Sequence, residues 1–239
     1  EIATPVTRAT DAHESDYDKR TFVANDQINI YSGASASGSA TVYKYSDSGS
    51  TSKRLPGTGD GITITTENET YTASFPTTFS GIKQDQTTPT AFWESNQLIS
   101  SKAAVGNRVD FVFAPVAAKI TINVEYASIT TGNGIKLEGN SLRTDGGTNE
   151  TIQLLPVTAS GTNHTYIGII RANAGAVYQI TVSAGEIDKS YAQSSIKLEA
   201  ANNYIYNFTS TNKLILNSVN VTPFASDGSA ESGGDLNAT

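Results

Sequence analysis

Carboxylates gather in DAHESDYDK, where Asp11, Glu14, Asp16 and Asp18 could together offer oxygen ligands to Ca²⁺. The spacing is not that of an EF-hand loop and the turn glycine is missing, so the run reads as a solvated linker. Nitrogen and sulfur ligands are scarcer: the two histidines, His13 and His164, lie far apart, and Cys is absent. No transition-metal site, disulfide or thiol nucleophile is expected from such a set. Nucleophilic hydrolysis finds no G-x-S-x-G, and both histidines read as exposed loop residues. GTGDG, after Pro56, lacks the Lys-Ser/Thr and the strand-to-helix setting of a phosphate loop, and it reads as a hairpin loop. No cofactor is expected. Trp93 could stack on a sugar ring, although core packing is its ordinary use. A pair of glycosidase carboxylates carries no local motif, so a secreted β-sandwich enzyme stays open as a rival to a non-enzymatic protein.

The elements that would carry these residues are strands. In AAKITINVEY, Ile120, Ile122, Val124 and Tyr126 share one face, and Thr121, Asn123 and Glu125 the other. That period of two marks a strand with one buried face. QINIY, GITIT, TYTASF, RVDFVF, VYQITVS and NYIYNFT repeat it, separated by turn clusters such as SGASASGSA, SDSGSTS and TTGNG that supply Gly or Asn. Helix formers do not cluster, and a single short helix is expected near residues 93–104. Many short strands with such turns predict an all-β chain of antiparallel sandwiches. At 239 residues there is room for two domains. The expected boundary follows Pro115, giving domains 1–115 and 116–239, the second ending in the Gly/Ser/Asp-rich ASDGSAESGGDLNAT.

A net charge of -7 with no Lys/Arg cluster leaves no electrostatic footprint for nucleic acid or an anionic bilayer. Apolar runs are broken within a few residues, so neither a transmembrane span nor a signal peptide is expected. With no Met anywhere, the chain is expected to be a mature or trimmed product.

Three stretches in order resemble the fimbrillin family of Bacteroidales surface proteins, in its Mfa1-like branch. RTFVANDQINIYSG is similar to an early family strand, an aromatic followed by D-x-I-x-[IV]-Y, here Phe22, Asp26, Ile28, Ile30 and Tyr31. NQLISSKAAVGNRVDFVFAPVAAKITINV resembles the central F-x-F-x-[HP]-x-[AL]-A-K-[IL]-x-[IF] pattern. NNYIYNFTSTNKLILNSVNVTPFASDG resembles an ending in which Y-x-Y-x-[FIV] leads to a last strand and [IV]-x-P-W. Pro115 stands where the family often has His, and Phe224 where it often has Trp.

The resemblance implies two tandem transthyretin-like Greek-key β-sandwiches and a structural or tip adhesin subunit of a fimbria, with no enzymatic activity. It implies export as a lipoprotein to the outer membrane and cell surface, with contact to membrane only through an upstream lipid anchor. The implied partners are other fimbrial subunits, an arginine-specific protease and a host or bacterial surface receptor. Cleavage within an early T-R-A-like sequence would remove the first strand, with Arg8 as the cut point and Ile2 and Val6 as the groove plugs it withdraws. A missing strand leaves unpaired backbone beside an apolar slot, which an extended segment from a neighbour can fill. Leu214, Leu216, Val219, Val221 and Phe224 are the candidate donor residues, with a bulge expected at Asn217 and Ser218. The alternative is a monomeric surface lipoprotein that binds glycans or host protein through its loops. Digestion with an arginine-specific protease is expected to cut after Arg8, not Arg20 or Arg54, and to convert monomer into SDS-resistant ladders on gels. Cutting without ladders favours the monomeric alternative.

Overall fold

A computed structural model describes residues 2–3, 26–47, 52–56, 62–106, 108–127, 134–184 and 187–224. The strands are Ile2–Ala3 (β1), Gln27–Ser32 (β2), Thr41–Asp47 (β3), Ser52–Pro56 (β4), Thr70–Phe75 (β5), Leu98–Ala103 (β6), Val109–Asp110 (β7), Ala114–Pro115 (β8) and Ala117–Tyr126 (β9). They continue with Gly134–Gly139 (β10), Glu150–Gln153 (β11), Leu155–Ser160 (β12), Asn163–Arg171 (β13), Asn173–Ala184 (β14), Ile187–Leu198 (β15), Asn202–Ser210 (β16) and Leu214–Pro223 (β17). One helix, α1, spans Pro89–Ser95. The all-β expectation holds.

Two compact units divide the chain. The first takes in the residues up to Phe79 and Gln97–Pro115, and the second Ser80–Asn96 and Val116–Phe224. The chain thus changes units at the expected 115/116 step, but residues 80–96 also leave the first unit for the second.

In the first unit a sheet runs β4-β3-β2-β5-β6-β8, with its neighbouring strands antiparallel throughout. Its apolar face buries Ile28, Ile30, Tyr43, Tyr71, Ala73, Phe75 and Leu98 against Val109, Phe111 and the partly buried Ile62, Ile64 and Phe113. Among the described residues, β1 and β7 form a separate parallel pair. GITIT and most of RVDFVF keep alternating burial, as expected, but are not strands. Their amides have other acceptors: the Ile62 N–H donates to the Tyr43 hydroxyl at 2.6 Å, and the Val112 N–H to Ser100 Oγ at 2.9 Å. A side-chain acceptor satisfies one amide without aligning a neighbouring strand, so the ladder stops there.

In the second unit a five-stranded sheet, β12-β13-β9-β16-β17, faces a four-stranded one, β11-β10-β14-β15. Ile120, Ile122, Val124 and Tyr126 of β9 are all buried, as are Tyr178, Ile180 and Val182 of β14 and Tyr204, Tyr206 and Phe208 of β16. The Tyr178 and Tyr206 hydroxyls meet at 2.7 Å, and the Tyr191 and Phe208 rings at 5.4 Å edge to face, so side chains of both sheets share one core. The polar face of β9 is also covered, contrary to simple alternation: Lys119 and Thr121 are buried. Thr121 donates to Asn203 at 2.8 Å, and Asn123 donates to Asn207 and accepts from Thr165, so buried polar atoms are paired across strands.

The helix lies earlier than expected. Thr88 caps it by accepting from the Ala91 N–H, and Pro89 takes the first-turn position where its missing N–H costs nothing. The residues after Asn96 become β6 because they complete the β5 ladder. Residues 80–96 are tied to the second unit by backbone bonds of 84–86 with Gln153 and by Gln86, fully buried, whose Oε1 accepts from the Ile169 N–H at 2.7 Å and whose Nε2 donates to the Ile169 carbonyl at 2.8 Å. The β12 pairing with β13 ends at Leu155↔Ile167, so this one amide takes over the strand edge just beyond it. Gln86→Leu should unpair both Ile169 groups and lower unfolding free energy by about 1–3 kcal/mol for each group. A urea denaturation midpoint equal to wild type would show that this edge contributes nothing.

Candidate assembly strands and binding surfaces

The residues assigned to processing fall unevenly on the structure. Ile2 lies in β1, its backbone paired parallel with Val109 while Ala3 pairs with Asp110. Val6 and Arg8 lie outside the described residues, as do His13, Arg20, the DAHESDYDK carboxylates and the GTGDG loop. Arg54 is in β4, in a hairpin with β3.

The donor candidates form one continuous strand. β17 pairs antiparallel with β16 in its own unit and ends the sheet order, so its far edge has no partner strand among the described residues. The register shifts between Asn207 and Phe208, leaving Asn217 as the extra residue on β17. Its Nδ2 donates to Thr209 Oγ1 at 2.9 Å, while Ser218 accepts from Asn207 Nδ2 at 2.9 Å. The bulge has a topological effect: it returns Val219 and Val221 to the face of Leu216, because they sit opposite Tyr206 and Tyr204 as Leu216 sits opposite Phe208. The three tyrosine and phenylalanine partners are buried, but Val219 is 37% exposed and Val221 54%. The strand's two ends are fixed. Leu214 is buried, and Phe224 is buried with its N–H donating to the Ala201 carbonyl at 2.6 Å and the Lys119 ammonium 5.5 Å over its ring. Ile215, on the opposite face, is also exposed, a feature that the alternation of Leu214 and Leu216 gave no reason to single out.

Trp93 is half-buried on α1, edge-on to the buried Phe92 at 5.1 Å, so its ring already serves packing. His164 is not in a loop: it lies in β13, its ring 5.0 Å from that of Tyr126 and its Nδ1 3.4 Å from the Tyr166 hydroxyl. Sequence reasoning passed over an open cleft of about 680 Å³ against the four-stranded sheet, lined by residues of β10, β11, β14, β15 and the 140–149 loop. Among the described residues no group of three or more His, Cys, Asp or Glu could hold a metal ion, and no helix is long and apolar enough to cross a membrane.

No protein-family model matches the chain, and no curated protein sequence matches it. Solved structures do. A candidate cell adhesion protein from Bacteroides ovatus aligns over 94% of this chain and 96% of its own at 14% identity, with a TM-score of 0.68. Another from Bacteroides uniformis aligns over 93% and 97% at 16% identity, with a TM-score of 0.62. The tip fimbrial protein Mfa3 of Porphyromonas gingivalis, with a C-terminal truncation, aligns over 93% and 99% at 10% identity and 0.53. The chain therefore has the fold of the Mfa-like fimbrillins, the fold that its three sequence stretches suggested.

Burial pushes the Tyr206 hydroxyl up to about 12 and raises Tyr178 as well. An unfolded tyrosine titrates near about 10, so the folded state holds these protons more tightly. Their stabilisation is whole below about pH 10 and is lost as pH rises through the folded value of about 12 for Tyr206. Alkaline titration followed by phenolate absorbance should show part of the tyrosine signal appearing only with loss of the folded circular dichroism. Tyr178→Phe should cost about 1–3 kcal/mol by leaving the Tyr206 hydroxyl without its partner.

Proposed function

We propose that the chain is a non-enzymatic subunit of a cell-surface fimbria, structural or at the tip, that assembles by strand complementation once an arginine-specific protease has removed its N-terminal strand at Arg8. The observation that carries this reading is the pairing of β1. Among the described residues two pairs, Ile2↔Val109 and Ala3↔Asp110, join it to β7. Its departure would uncover the backbone of Val109 and Asp110 beside the buried Val109 and Phe111 side chains. Unpaired strand edges next to apolar surface are the standard acceptor for strand addition.

The donor is the C-terminal region from β17 onward, with Val219 and Val221 as the exposed apolar contacts and Leu214, Leu216 and Phe224 as the residues that hold or extend it. A donor and an acceptor at different places on one chain make a head-to-tail contact that does not close, hence a filament. The structural neighbours, two candidate cell adhesion proteins and a tip fimbrial protein, support a place at the cell surface, where other subunits and a host or bacterial receptor are the partners. Attachment to the outer membrane is by a lipid upstream of the strand that is removed.

The test uses Val219→Lys combined with Val221→Lys. Both positions are exposed, so folding stability should change by no more than about 0.5 kcal/mol at each. Protease-triggered ladder formation should nevertheless fall at least tenfold, because two ammonium groups would have to enter an apolar interface. Ladders at the wild-type yield would remove β17 as the donor, and ladders that form without any cut would remove the processing step.

A further inference from the structure

The cleft of about 680 Å³ in the second unit has the size of a small-ligand site, yet its lining is unusual for one. Its walls are built where the β14–β15 ladder opens. The register between these strands shifts twice, between Asn173 and Ala176 and again between Ala176 and Tyr178, so the strands lie in register only intermittently there. Bulges of this kind re-aim side chains and gather near binding sites. On the other wall, β10 comes so close to β14 at Gly139 that an added Cβ would lie 2.6 Å from the Val177 carbonyl oxygen. The adjoining loop holds Ser141 and Asn149 at φ of 55° and 52°, a left-handed backbone that non-glycine residues seldom adopt. Surroundings that impose such conformations fix the direction of the side chains they carry.

Those side chains are amides. Asn140, Asn149, Asn173, Gln179 and Gln193 all line the cleft. Several are already oriented by the backbone: Asn140 Oδ1 accepts from the Asn149 N–H at 2.9 Å, Asn173 Oδ1 from the Gly175 N–H at 3.0 Å, and Gln193 Nε2 donates to the Ser194 carbonyl at 2.8 Å. Each bond occupies one end of an amide and leaves the other end to serve a ligand, donors from the asparagines and an acceptor from Gln193. Two carboxylates also line it, Glu138 paired with Lys136 at 3.2 Å and Glu150 accepting from the Arg143 N–H at 2.8 Å and Thr144 Oγ1 at 2.7 Å, and neither Lys nor Arg is among the lining residues. Apolar contact comes from Val177, which is 55% exposed.

We propose that this cleft binds a neutral oligosaccharide. Sugar hydroxyls donate and accept from one atom, and adjacent hydroxyls match the fixed spacing of donor and acceptor in amide and carboxylate groups. Val177 supplies an apolar patch for the C–H face of a ring. An anionic glycan would meet two carboxylates with no lining cation, and a peptide would need successive apolar pockets for alternate side chains, whereas beside Val177 the cleft offers only Ala192 and the buried Tyr178. The site acts in the single chain, so it does not depend on fimbrial assembly.

The test is calorimetric titration of the uncut monomer with a panel of neutral gluco-, galacto-, xylo- and manno-oligosaccharides beside sialylated and sulfated ones. At least one neutral member should bind, and Asn173→Ala and Gln179→Ala should each weaken it at least tenfold. Val177→Lys, at an exposed position, should block binding with an unchanged melting temperature, which separates loss of the site from loss of the fold. Absence of binding by every neutral sugar at millimolar concentration overturns the proposal. So does binding confined to the charged glycans, or neutral binding that survives in folded Val177→Lys. Ladder formation by the same variants, measured separately, should match wild type, so failure of this site and failure of assembly give different results.

Discussion

The parallel pairing of β9 with β16 is the constraint on which the second unit rests. It runs from Asn203↔Lys119 to Ser210↔Tyr126 and joins the first strand of the unit's main sheet to its next-to-last. A parallel pair cannot be closed by a tight turn, so the chain between them must leave the sheet and return. It does so by building the whole opposing sheet on the way. With β9 and β16 fixed side by side, β13 can pair only on the outer side of β9, and β17 only on the outer side of β16. Most of the polar face of β9 is covered as well as its apolar one, and there Thr121 and Asn123 pair with Asn203, Asn207 and Thr165, while Glu125 near the strand's end stays exposed.

That arrangement also explains where the surfaces lie. The last described strand ends up at a sheet edge, and the opposing sheet ends at β15, so Val219 and Val221 point toward the core side without being covered. Soluble proteins usually protect such edges with charge, proline or short length. Here a ten-residue strand carries a bulge at Asn217 and a proline only at its final position, with three exposed aliphatic side chains between. In the first unit the described residues form a six-stranded sheet, and β1 pairs with β7 apart from it.

The cleft obeys a different logic. It arises where regular pairing fails, between β14 and β15, and its polar groups are oriented by local turns and bulges. None of its lining residues, which fall between Glu138 and Gln193, belongs to the three stretches that resemble the fimbrillins.

Much of the framework was legible from period-two alternation. Ile28 and Ile30, Tyr71 to Phe75, Ile120 to Tyr126, Tyr178 to Val182 and Tyr204 to Phe208 were read as buried faces and are buried, because burial on one face of a pleat writes itself directly into residue type. The bulge beside Asn217 was legible too, as the point where apolar spacing changes phase. Alternation could not tell a strand from an extended segment: Ile62, Ile64 and Phe113 alternate in burial, but their neighbouring amides bond to Tyr43 and Ser100. Nor could it place residues 80–96, which are held to the second unit by bonds to distant residues, among them Gln86 to Ile169 eighty-three positions away and the backbone of 84–86 to Gln153. The sequence by itself determined which residues must be buried and that they lie on strands, since those properties depend on local period and side-chain chemistry. Only the tertiary structure decided which strands are neighbours, which become edges and where a ladder opens, since those depend on hydrogen bonds between residues that no local pattern connects.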